Sequence, residues 1–146
     1  MNLAGKLKGM LSVGGVRVTI TEVKTPVSIG KADLTGKYEL ATPCAMVVCC
    51  VTVKLVRNER VEDDYGFETI VSTSIAEHCD EAQGEEFFPL QLLPSAPQER
   101  SFTLANVDVT PTSPNVWYLL EISAQVRGMT SNPSDRRPIE VIAARS

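Results

Sequence analysis

VWYLLEISAQVRGMTSNPSDRRPIEV, residues Val116–Val141, reads as a long strand, a polar turn and a return strand. Val116, Tyr118, Leu120, Ile122, Ala124 and Val126 fall at every second position, the repeat of a strand with one buried face. The opposite face begins apolar with Trp117 and Leu119, then becomes Glu121, Ser123, Gln125 and Arg127. One end of that face is therefore expected to be covered and the other to meet water.

Working outward, Ala32, Leu34, Gly36, Tyr38 and Leu40 alternate with Asp33, Thr35, Lys37 and Glu39, the clearest one-face-buried strand in the chain. Val16, Val18 and Ile20 alternate in the same way, and Lys24–Gly30 reads as a connection. Ala45–Val56 is a longer strand whose expected interior set is Ala45, Val47, Cys49, Val51, Val53 and Leu55. Met46, Val48 and Cys50 make its other face apolar too. Arg57–Gly66 reads as a charged hairpin connection, Phe67–Ile75 as a weaker strand, Glu77–Glu86 as an acidic loop and Phe87–Leu93 as a short strand. Phe102–Val109 is strand-like, but its phase breaks near Ala105-Asn106, as at a bulge. Leu3, Leu7 and Leu11, with Lys6 and Lys8 between them, form one apolar stripe of a short helix or tail.

Seven to nine short strands with turn signals between them predict an all-β antiparallel β-sandwich. The expected organisation is an N-terminal amphipathic segment, residues 1–15, and a single β-sandwich domain over 16–146. The stripe of Leu3, Leu7 and Leu11 is expected to pack on its own domain or a second copy, or to make weak membrane-surface contact.

The 146 residues carry a formal net charge of -4, with acids and bases interspersed. That excludes the clustered Lys and Arg by which nucleic-acid binders displace counterions from phosphates. No apolar run approaches the roughly 20 residues of a spanning helix, and the first residues lack the apolar core of a secretion signal. A cytoplasmic protein is expected. Its four cysteines, Cys44, Cys49, Cys50 and Cys79, are then expected to be buried free thiols.

Chemistry-bearing patterns are sparse. His78 and Cys79 are adjacent, but a nucleophilic thiol needs a base within hydrogen-bond reach, and neighbours on an extended chain point apart. The cysteines and His78 lack metal-ligand spacing, the acids of Glu62–Asp64 and Glu77–Glu86 lack the calcium-loop pattern, and Gly14-Gly15 lacks a phosphate-loop lysine. No cofactor is expected. Asp135, Arg136 and Arg137 in the last turn are the candidate partner-binding residues, because arginine forks grip carboxylates or phosphates on an acidic partner. The competing reading is a local Asp–Arg pairing that fixes the turn.

The two ends of the chain resemble a family. KLKGMLSVGGVRVTI is similar to the opening of bacterial sporulation-control proteins of arrestin-like fold, where a short lysine-containing helix runs through a Val-Gly turn into the first strand. VWYLLEISAQVRGMTSNPSDRRPIEV resembles the end of that family's N-terminal lobe, an aromatic-rich strand, an Asp-Pro-x-Asp-Arg-type turn and a short Ile-x-Val strand. Asn132-Pro133 replaces the Asp-Pro, while Ser134, Asp135 and Arg136 follow the motif. The family has two lobes and this chain the length of one. The resemblance implies an all-β, immunoglobulin-like antiparallel β-sandwich of arrestin N-lobe type, acting as a non-enzymatic adaptor or regulator, with no catalytic residues to carry over. Its partner would be another protein, held through loops or a sheet edge, and the same edge chemistry permits a homodimer. Rival readings are a small-ligand or carbohydrate-binding sandwich, which requires an exposed aromatic platform, and a thiol-dependent enzyme using Cys79 and His78.

Overall fold

The structure is a computed structural model and describes residues 15–24, 27–28, 30–80, 89–109 and 113–142. The described residues are all-β: β1 (Arg17–Val23), β2 (Val27–Ser28), β3 (Gly30–Ala41), β4 (Met46–Glu62), β5 (Glu68–Asp80), β6 (Leu90–Leu92), β7 (Gln98–Val109), β8 (Val116–Val126), β9 (Ser134–Ile139) and β10 (Val141–Ile142). One sheet has the order β1-β3-β7 and the other β5-β4-β8-β9, with β6 pairing the start of β4. All these pairings are antiparallel; β10 and β2 pair in parallel as a small third sheet. The two larger sheets form a sandwich, with β1 beside β9 at one seam and β5 beside β7 at the other. The N-terminal amphipathic segment with Leu3, Leu7 and Leu11 lies outside the described residues.

Alternation places the core. Tyr118, Leu120, Ile122, Ala124 and Val126 of β8 are buried, and they face Val18, Ile20, Leu34, Tyr38, Leu40, Phe102 and Leu104 of the opposing sheet. Each fully buried Leu, Ile or Val stabilises by about 1.5–3 kcal/mol. Gly36 allows the closest approach in this layer. A Cβ there would overlap the Glu22 carbonyl oxygen and come within 2.7 Å of Phe102 Cζ.

The break at Ala105-Asn106 is a bulge, as expected. Register shifts between Ala32 and Leu34, and Asn106 takes φ 55 while its N–H donates to Asp33 Oδ1 at 3.0 Å. A second bulge was not legible. The pairing of β4 with β8 shifts between Val48 and Cys50, so burial passes from Val48 to Val51. The expected interior set therefore holds for Val51, Val53 and Leu55, whereas Ala45 is exposed and Val47 and Cys49 are half-buried.

Several boundaries differ from expectation because ladder pairing overrides local composition. The charged run after Arg57 continues β4 to Glu62, and the connection shrinks to Asp63–Phe67. Glu77–Asp80, expected in a loop, pairs with Val51–Lys54 as the end of β5. The strands are also longer than expected, up to 17 residues in β4. The four cysteines are not in disulfides, but none is buried as expected: Cys44 and Cys79 are exposed, Cys49 and Cys50 intermediate.

Candidate partner-binding site

The polar turn after β8 is short and backbone-held. Gly128 takes φ 88, Met129 N–H donates to the Val126 carbonyl at 3.2 Å, and Ala124 N–H donates to the Pro133 carbonyl at 2.9 Å. The chain is thus returned to β8 by Ser134, and Asp135, Arg136 and Arg137 lie in strand β9, not in the turn where the sequence reading put them. Strand alternation then divides their tasks.

Asp135 and Arg137 reach β1. Asp135 Oδ2 accepts from Ile20 N–H at 2.8 Å, and Arg137 Nη2 donates to the Ile20 carbonyl at 2.8 Å. Asp135 Oδ1 also accepts from Arg136 N–H at 2.9 Å, and Arg137 Nε lies 4.0 Å from Asp135 Oδ2. β1 ends its sheet, so these two side chains give Ile20 the donor and acceptor that another strand would otherwise supply. The local Asp–Arg pairing is present, and its main partner is a backbone 115 residues away.

Arg136 points to the other side. Its Nε donates to Glu121 Oε2 at 2.7 Å, and Lys54 Nζ lies 3.3 Å from Glu121 Oε1, so Glu121 is held between two cations. The Arg136 side chain nevertheless stays 65% exposed. On the β1 side, Ile20, Thr21, Glu22, Val23, Arg137 and Pro138 line an open cleft of about 170 Å³. Small-molecule sites usually exceed about 300 Å³.

A second surface was missed by the sequence reading. β5 is the end strand of its sheet, its residues Glu68–Ser74 are all exposed, and among the described residues no strand pairs its outer edge. Val61, Ile70 and Val71 are exposed apolar side chains on the β4–β5 hairpin, and its turn carries Tyr65 and Phe67, 87% and 70% exposed. The available signal was two aromatics inside a turn between strands, where no core can receive them. Near its base the hairpin is fastened by Ser72 Oγ donating to buried Asn58 Oδ1 at 2.6 Å and by Arg60 over the Trp117 ring at 5.5 Å. Arg57 beside it is held charged, its pKa raised by the hydrogen bond to Glu59, against the lowering pull of burial.

His78 and Cys79 are successive residues of β5, opposite Val53 and Thr52, and project to opposite faces. Thr52 Oγ1 donates to Cys79 Sγ at 3.8 Å. Among the described residues no group of three or more His, Cys, Asp or Glu is placed to hold a metal ion, and no helix is long and apolar enough to cross a membrane.

No protein-family model and no curated protein sequence matches the chain. Among solved structures it is similar to the crystal structure of Spo0M, a sporulation control protein from Bacillus subtilis, at 15% identity and a TM-score of 0.73. The likeness covers 90% of this chain and 51% of that one, so the chain spans about half the length of Spo0M. The family resemblance is thus matched by the fold, an arrestin-like β-sandwich of the Spo0M kind.

Proposed function

We infer that this chain is a non-enzymatic adaptor or regulatory module that binds another protein through a sheet edge. The observation that carries the reading is β5, a long end strand exposed along Glu68–Ser74 with Ile70 and Val71 on it. An end strand offers N–H and C=O groups to an incoming strand, while its apolar side chains add contact area. The name of Spo0M, a sporulation control protein, supports a regulatory role. Arg136 and the outward part of Arg137 are the proposed second contact, for an acidic group on the partner. A second copy of the chain is a further proposed occupant of the β5 edge.

The test is a pull-down from source-cell lysate with the intact chain beside Ile70→Lys/Val71→Lys and Arg136→Ala/Arg137→Ala variants. A specific protein that is recovered by the intact chain and lost with the lysine pair supports strand addition. Its loss with the arginine variant extends the site to β9. Recovery of the chain alone overturns the adaptor reading, and sedimentation then tests self-association.

A further inference from the structure

The β4–β5 turn is built with more order than a connection requires. Asp63 Oδ1 accepts from Tyr65 N–H at 2.8 Å and from Phe67 N–H at 2.9 Å. Asp63 N–H donates to the Phe67 carbonyl at 2.9 Å, Gly66 N–H donates to the Asp63 carbonyl at 3.1 Å, and Gly66 takes the left-handed φ 84, a conformation that any residue with a Cβ would hold only under strain. Asp63 and Gly66 therefore define the turn. Tyr65 and Phe67 contribute only backbone to it, yet both are large apolar side chains left exposed. Aromatics in water carry a hydrophobic cost that polar residues at the same positions would avoid.

The charge around them narrows what they meet. Residues 60–68 hold the carboxylates Glu62, Asp63, Asp64 and Glu68 against one guanidinium, Arg60, itself 3.9 Å from Glu68 and over Trp117. Such a tip is repelled by nucleic acid, by anionic lipid and by a second copy of a chain of net charge -4. Its complement is apolar at the centre and basic at the rim, on a protein. We propose that the β4–β5 turn is a preorganised knob whose Tyr65 and Phe67 enter an apolar pocket rimmed by Lys and Arg on a partner protein. A turn already fixed by Asp63 loses little conformational freedom on docking.

This rests on the adaptor reading and adds the chemistry of the partner surface. The probe is a photo-crosslinking benzoylphenylalanine at Tyr65 in the full chain, irradiated in source cells, with adduct peptides sequenced by mass spectrometry. The expected adduct is a peptide of another protein containing apolar residues and Lys or Arg. Its yield should fall at least tenfold in Glu62→Lys/Asp64→Lys and in Phe67→Ser, with the thermal unfolding midpoint retained. Adducts to lipid, to the chain itself or to an acidic peptide, or none, overturn the proposal. Partner recovery lost with Ile70→Lys/Val71→Lys but kept in Phe67→Ser leaves the adaptor reading standing and removes the knob.

Discussion

The two seams of the sandwich are finished in opposite ways. At one, β1 is an end strand, but Asp135 and Arg137 of β9 take the N–H and C=O of Ile20, and two sheets are joined by charged side chains. At the other, β5 is also an end strand, and Glu68–Ser74 stay exposed along it. The same hazard, a row of ladder groups open to another chain, is closed on one side and kept on the other. The difference points to the β5 side as the surface for contact and the β1 side as the surface for stability.

The sheet that carries the closed seam should break most severely at Gly36, where β3 pairs with β1. Gly36→Ala drives a methyl against the Glu22 carbonyl, backbone that cannot rotate away, and against Phe102. We expect a loss of about 3 kcal/mol, the upper range for overpacking, read as a lower urea midpoint at unchanged slope. A midpoint equal to wild type would mean that β1 yields freely at Glu22, and that the strand held by the seam is not rigid there.

Asp135→Ala comes next. It strands the Ile20 N–H and removes the carboxylate near Arg137, for an expected cost of about 2 kcal/mol. Arg137→Ala should cost about 1 kcal/mol, because the Ile20 carbonyl can turn to water in the open cleft beside it. The two act on one residue, so the double variant should lose less than the two single losses added, by roughly 1 kcal/mol. Strict additivity would show that Asp135 and Arg137 act independently and that the clamp is two unrelated bonds.

How far this arrangement was legible depends on where the information lies along the chain. The alternation of β8 and β3 is local and names their core faces directly. The bulge at Asn106 was legible because it breaks a clean alternation, with Leu104 and Val107 both buried. The bulge between Val48 and Cys50 was not, because both faces of β4 are apolar there and a phase slip leaves no trace. The three candidate residues were singled out by their chemistry, but the hold of Asp135 and Arg137 on β1 was hidden: Ile20 is 115 residues from Asp135, and no local pattern connects them. The exposure of β5 was hidden for a similar reason. Its composition resembles any half-buried strand, and its place at the end of the sheet is a fact of topology.

The smallest expected effect on folding sharpens the comparison most. Ile70→Lys and Val71→Lys place charges on exposed positions of β5, where substitutions away from core, caps and clamps usually change stability within about 0.5 kcal/mol. Their backbones keep the ladder with Arg60 and Glu59, and the core at Leu55 and Leu120 is untouched. Lysines on an end strand nevertheless oppose the approach of another strand. An unchanged urea midpoint together with loss of the recovered partner would assign this seam to contact. A midpoint lowered by as much as that of Asp135→Ala would instead show that Ile70 and Val71 support the fold, and the contrast between the seams would fail.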